Sequence, residues 1–218
     1  MSKTTIIYYT SNKEKPEFEQ KIRNNLRIVA GNVPIISVSH KPIGLGINIC
    51  IGEREACNHN LFRQIQIGAK LATTPFVSFA EADCLYPMGY FNFIPEGAIL
   101  HQAYKCTNLY ILSEWGKKEF SGFYRKEVGT FAQITGREHL IKEIDLVLKD
   151  RLFWDKKHEE RPIELFRRRR WQTFDYKNPI VSIKTKHGMT RHTKTIEPPV
   201  DTIPYWGSAN ELRKELFP

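Results

Sequence analysis

The sequence has no run of the roughly 20 apolar residues that a membrane-spanning helix requires. The apolar stretch near its start, within MSKTTIIYYTSNKEK, is too short for a secretory signal, and no small-residue cleavage site follows it. Both absences lead us to expect a cytoplasmic protein. Cysteine is scarce: Cys50, Cys57, Cys84 and Cys106 are the only four, and none form a CxxC pair. Buried, reduced thiols are expected rather than a disulfide framework or a zinc site. A glycine-rich phosphate loop is also missing. Gly44-Leu45-Gly46 lacks the third glycine of a dinucleotide fingerprint and follows the second expected strand rather than opening the first crossover. Tyr9-Thr10-Ser11-Asn12-Lys13, after the first expected strand, contains no glycine, which argues against a nucleotidyltransferase built on such a loop. There is no internal repeat and no low-complexity segment.

The chain does have enough apolar material for a core: 41% of its 218 residues are hydrophobic and 12% aromatic. That length suits a single domain over 1–218. The net charge of +9 draws the chain toward polyanions such as nucleic acid, an anionic membrane surface or nucleotide phosphates.

Periodicity orders the elements. Residues 4–9 form a β-branched and aromatic strand, stopped by Thr10-Ser11-Asn12. Phe18, Ile22, Leu26 and Val29 recur at helical spacing over 16–30, and Gly31-Asn32 ends that helix. A short strand over 34–39 follows, so the first three elements imply a parallel pair with a crossover helix. After a loop, 58–71 reads as a helix broken by Thr73-Thr74-Pro75, and 76–80 as a third buried strand. Strands are expected over 99–104 and 109–112, forming an antiparallel extension. A helix is expected over 136–148, a last strand over 180–186, and a tail that packs by Tyr205-Trp206.

Glu81-Ala82-Asp83 stands at the carboxyl end of the third strand, where open α/β sheets bind ligands. Residues two apart on extended backbone point to the same side, so both carboxylates can face one ligand. Hard oxygen donors of this kind suit Mg²⁺ or Mn²⁺, which neutralise the charge of a departing phosphate.

The run Phe-Val-Ser-Phe-Ala-Glu-Ala-Asp-Cys-Leu-Tyr-Pro (76–87) resembles the strand-plus-acid segment of GT-A glycosyltransferases. Ser182-Ile183-Lys184-Thr185-Lys186-His187-Gly188-Met189-Thr190 resembles the late strand and His-Gly loop of the small bacterial and phage members (family 2-like), and Pro204-Tyr205-Trp206-Gly207 resembles their C-terminus. The resemblance runs from Thr4 to about Trp206 and departs from the common pattern in having Glu81 where aspartate is usual. It implies an α/β fold, a Rossmann-like, mostly parallel central sheet flanked by helices with a small C-terminal extension. A nucleotide-sugar-binding half would cover 1–112, and an acceptor half with a metal-binding histidine 113–218. The implied activity is metal-dependent transfer of a hexose or pentose from a UDP-sugar to a hydroxyl. The implied metal ligands are Glu81, Asp83 and His187, with His192 a competing histidine and Asp83 the safer carboxylate.

The same resemblance places the donor's base and ribose on Tyr8, Tyr9, Thr10 and Ser11, although strand alternation predicts that one tyrosine belongs to the core. His40 ends the second strand beside them, and Arg63 and Gln64 lie where a cation or amide could meet the diphosphate or sugar. An inverting mechanism would need a carboxylate base, for which Glu114 is the candidate, whereas a retaining one would need none there. Arg167, Arg168, Arg169 and Arg170, with Trp171 and with Trp154, Lys156, Lys157, Arg161 and Phe166 before them, interleave cations with aromatics as nucleic-acid surfaces do. A 5-hydroxymethylpyrimidine in phage DNA, flipped out of its duplex, is the acceptor this suggests, and the host cytoplasm would then be the setting. A glycan or lipid acceptor and a non-enzymatic nucleic-acid-binding module are the alternatives.

Overall fold

In a computed structural model, the described residues are 2–115, 121–127, 129–148, 171–187 and 197–217. The first strand, β1 (Thr4–Thr10), is buried along its whole length and lies near the middle of a seven-stranded sheet. To one side it pairs in parallel with β2 (Ile35–Ser39), which pairs in parallel with β3 (Ile47–Cys50) at the edge. To the other side comes β4 (Phe76–Glu81), also parallel. Strands covered on both faces read as unbroken apolar runs, which is why these segments were legible.

Beyond β4 the direction reverses. β9 (Gln133–Gly136) is antiparallel to β4 and to β6 (Ala103–Cys106), and β10 (Trp171–Phe174) completes the sheet in parallel with β6. A second, four-stranded sheet runs β5 (Cys84–Leu85), β11 (Ile180–Lys184), β7 (Leu109–Ser113), β8 (Phe123–Lys126). The chain passes from β4 to β5 through Ala82 and Asp83, so the acidic segment lies at the junction of the two sheets. The Ile183 N–H donates to the Asp83 carbonyl (2.6 Å) and holds that junction.

Helix α1 (Pro16–Ala30) starts with proline in its first turn, carries Glu17 and Glu19 at its positive end, and stops at Gly31, whose φ of 54° is left-handed. Its Leu26 and Val29 pack with Ile6 and Tyr8 on one face of the large sheet, while Phe18 and Ile22 reach the second sheet. Ile7, Tyr9, Val77 and Phe79 point the opposite way, onto α2 (Asn58–Leu71) and α3 (Arg137–Leu148). Helix α2 approaches β1 so closely that a Cβ on Gly68 would come within 2.6 Å of Ile7 Cγ2. The C-terminal α4 (Ala209–Leu216) follows a two-stranded ribbon of β12 (Thr202–Ile203) and β13 (Gly207–Ser208) and packs on the second sheet.

The structure is thus the expected mixed α/β architecture, a mostly parallel central sheet flanked by helices. Several details differ from expectation. Residues 99–102 form a turn rather than strand, with the Ile99 N–H donating to the Tyr104 hydroxyl at 2.8 Å. The segment before α3 forms a strand, β9, and the last long strand stops at Lys184. Strand β7 belongs to the second sheet, parallel to β11, and is antiparallel only to β8. None of the four cysteines forms a disulfide; Cys57, Cys84 and Cys106 are buried and Cys50 is exposed. No helix among the described residues is long and apolar enough to cross a membrane.

Candidate functional site

The carboxyl ends of β1, β2, β4 and β11 open onto one cleft. Parallel strands end there together, so their terminal side chains and the following loops form its floor and walls. Thr10, Ser11, Lys13 and Glu14 come from the loop after β1, and His40 from the end of β2. The start of α2 supplies Cys57, Asn60 and Gln64, and β11 and the loop after it supply Lys184 and His187. Glu81, Ala82 and Asp83 close the acidic end.

At that end the Tyr9 hydroxyl donates to Glu81 Oε1 at 2.5 Å, which fixes the carboxylate against the cleft floor. Burial, then the neighbouring Asp83 charge, raises the Glu81 carboxyl to about 7. Burial also raises Asp83, while the Lys184 ammonium draws it back down. Glu81, Asp83 and Cys84 each place one ligand atom within 4.8 Å of the other two. The Cys84 thiol is fully buried, lies 3.4 Å from Asp83 Oδ1, and is pushed up by burial, so it belongs to the core as a neutral group. The donor set facing the cleft is therefore two hard carboxylates held close against their mutual repulsion. A divalent cation such as Mg²⁺ or Mn²⁺ fits such a pair.

His187 lines the same cleft, and its own backbone N–H donates to Thr185 Oγ1 at 3.2 Å. The Thr185 hydroxyl in turn donates to Glu14 Oε1 at 2.8 Å, so one threonine links the loops after β1 and β11. Burial, and after it the charges of Asp83, Glu19 and Glu114, lift Glu14 to about 7 against the Thr185 hydrogen bond. Its second oxygen, Oε2, is buried with no hydrogen-bond partner among the described residues.

At the other end, His40 is 4% exposed and its Nδ1 accepts from the Arg54 backbone N–H at 3.4 Å. Burial, with Arg54 and Lys13 nearby, lowers its pKa, so the ring is neutral and carries its proton on Nε2. That nitrogen is buried with no hydrogen-bond partner among the described residues. Gln64 forms the floor: its Nε2 donates to the carbonyls of Thr10 and Val38, both at 3.0 Å, tying the ends of β1 and β2 together.

The structure brings Tyr9, Thr10, Ser11, His40, Gln64, Glu81, Asp83 and His187 to this cleft. It places the other expected residues elsewhere. Tyr8 is fully buried on the α1 face and its hydroxyl donates to Glu19 Oε1 at 3.0 Å, because the pleat sends it away from Tyr9. Arg63 turns toward α3, donating to Gln66 Oε1 at 3.1 Å and feeling the Asp145 charge. Glu114 lies outside the cleft wall, in an ion pair with Lys15 at 3.2 Å. Trp171, on the edge strand β10, has the Lys105 ammonium 3.7 Å from its ring centre, so one face of that ring is already covered. Arg167, Arg168, Arg169, Arg170 and His192 lie outside the described residues. Sequence reasoning missed Lys13, Glu14, Asn60 and Lys184. The signal was available for three of them, since Lys13 and Glu14 follow β1 directly and Lys184 ends β11, all at carboxyl ends of strands.

No protein-family model matches the sequence, and no curated protein matches it. Solved structures do resemble the fold. The 2-C-methyl-D-erythritol 4-phosphate cytidylyltransferase of Thermus thermophilus aligns with a TM-score of 0.51 at 12% identity, over 80% of this chain and 89% of that one. A glycosyltransferase involved in glycosylation of the major capsid of PBCV-1 aligns at 0.46 and 14% identity, over 79% of this chain and 81% of that one. S. aureus TarS 1-349 in complex with UDP-GlcNAc aligns at 0.47 and 12% identity over 85% of this chain, which spans 59% of it. At these identities the likeness is one of fold alone, a mixed α/β sheet flanked by helices.

Proposed function

We propose that this chain is a metal-dependent glycosyltransferase that moves a sugar from a UDP-sugar to an acceptor hydroxyl. One observation carries the reading: one cleft holds both an acidic pair, Glu81 and Asp83, and the hydrogen-bonding groups of His40, Thr10 and Asn60. A nucleotide-sugar calls for both, with a neutral base and ribose at one end and a diphosphate that needs a cation at the other. The motif order of the sequence favours sugar transfer over nucleotidyl transfer, as does the absence of glycine between Thr10 and Pro16.

In this reading Glu81 and Asp83 hold the divalent cation and His187 approaches it from the loop after β11. The cation supplies Lewis-acid stabilisation of the departing diphosphate. Tyr9 orients Glu81 through its 2.5 Å hydrogen bond and keeps that carboxylate from turning into the core. His40 donates its Nε2 proton to a carbonyl acceptor on the base, and Thr10 and Ser11 offer hydroxyls to the base and ribose. Glu14 now stands in the cleft where Glu114 does not, with an oxygen free to accept a proton or a hydrogen bond. The acceptor we propose is a 5-hydroxymethylpyrimidine in DNA, supported by the net charge of +9 and the run from Arg167 to Trp171.

The test is incubation of the protein with a panel of UDP-sugars and Mn²⁺, with and without DNA containing 5-hydroxymethylpyrimidine, reading UDP release and DNA mass. A gain of one sugar mass on DNA, lost in Asp83→Ala, is expected. Metal-dependent UDP release without DNA modification would retain sugar transfer and move the acceptor to a glycan or lipid. If no UDP-sugar is bound or cleaved with any divalent cation, the glycosyltransferase reading fails.

A further inference from the structure

Two lysines of the cleft have no role in the reading above. Lys13, in the loop after β1, and Lys184, the last residue of β11, both line it. Neither ammonium forms an ion pair within 4.0 Å or a side-chain hydrogen bond with any described residue, although other lysines of the chain, Lys15, Lys41 and Lys70, are paired. Lys13 acts electrostatically on His40, at the neutral end, and Lys184 acts on Asp83, at the acidic end. Lys126, at the end of β8, is half-buried, its pKa lowered by burial and then by repulsion from Lys184. With a cation on Glu81 and Asp83, only Glu55 and Glu14, whose carboxyl is raised to about 7, would offset the lysines, so the cleft between them favours an anion.

We propose that Lys13 and Lys184 form a phosphate-binding pair that spans the middle of the cleft and takes the diphosphate of a nucleotide. This rests on the nucleotide-sugar reading and assigns the leaving group's recognition to two side chains that reading left unused. Lys13 lies toward the nucleoside and Lys184 toward the metal ligands, so each reaches a different phosphate. Ammonium groups act on phosphate as point charges and need no fixed planar geometry, which suits an exposed lysine at Lys13 and a half-buried one at Lys184.

The experiment is calorimetric titration of the full chain in saturating Mg²⁺ with uridine, UDP and inorganic pyrophosphate, for wild type, Lys184→Met, Lys184→Arg and Lys13→Met. UDP should bind wild type more tightly than uridine does. Lys184→Met and Lys13→Met should each weaken UDP about tenfold, about 1.4 kcal/mol, and leave uridine within about twofold. Lys184→Arg, which keeps the charge, should lose less. Lys13→Met, exposed and in a loop, keeps the test valid if Lys184→Met is unstable. Unchanged UDP affinity in both methionine variants, or equal loss of uridine and UDP, would overturn the pair while leaving nucleotide binding intact. If wild type binds neither uridine nor UDP, the nucleotide-sugar reading falls, and pyrophosphate decides for the pair. Pyrophosphate binding that both variants lose would support it, and no binding to wild type would overturn it as well.

Discussion

Without metal, the protein should lose stability as the pH rises from 5 to 8, and Glu81 should account for much of the loss. Its carboxyl titrates at 4.5 in a free chain and at about 7 here, raised by burial and by Asp83. Between those values the folded state keeps a proton that the unfolded state releases. The resulting stabilisation is complete below 4.5 and disappears as pH rises through about 7. One unit of pKa is about 1.4 kcal/mol, so a gap of about 2.5 units has a ceiling of about 3 kcal/mol. The proton is shared with Asp83, so Glu81 alone should contribute about 1–2 kcal/mol. Glu14 acts in the same direction but more weakly, being half-exposed and hydrogen-bonded to Thr185. Glu81→Gln keeps an oxygen for the Tyr9 hydroxyl and cannot ionise, so the comparison isolates the charge. Urea denaturation in EDTA at pH 5, 6, 7 and 8 should show a falling midpoint in wild type and a shallower fall in the variant. Saturating Mn²⁺ should flatten the wild-type curve, because it stabilises the ionised pair. An identical slope in both proteins, or wild-type stability that rises over this window, would refute the electrostatic account.

Three further outcomes are expected. Gly68→Ala should destabilise the fold by about 1–2 kcal/mol in urea denaturation, because overpacking costs about 1–3 kcal/mol and helix propensity returns at most about 1. The added Cβ would sit 2.6 Å from Ile7 Cγ2, and a stabilised variant would mean that α2 rides freely on β1. Gln64→Leu should cost about 1–3 kcal/mol by removing the donor to the Thr10 and Val38 carbonyls, and should also weaken UDP binding by loosening the loop after β1. A stable variant with intact UDP binding would contradict that tie. Tyr8→Phe should cost about 1 kcal/mol through the lost hydrogen bond to Glu19 and leave UDP affinity unchanged, and a loss of affinity would show that Tyr8 reaches the ligand after all.

The sequence by itself determined the elements whose signals are local. Helix α1 runs over the residues its periodicity marked because Pro16 and Gly31 set its ends wherever the chain goes next. Strands β1, β2 and β4 were legible because burial on both faces demands unbroken apolar runs, and the position of Glu81 and Asp83 at the end of β4 followed from that alone. Strands β8 (FYRK) and β9 (QITG) have no such signal, since they are strands only because partners hold them, β7 for one and β4 with β6 for the other. The cleft's composition was likewise decided in three dimensions. Tyr8 and Tyr9 are equivalent as letters, but the pleat and the opposing positions of α1 and α2 send one to Glu19 and the other to Glu81. Glu14 and Glu114 are both carboxylates after strands, yet Glu114 pairs with Lys15 and does not line the cleft, while Glu14 does and accepts from Thr185, 171 residues away in sequence. Local chain chemistry chooses segments; which side chain faces a ligand depends on contacts between residues that only the packed sheets bring together.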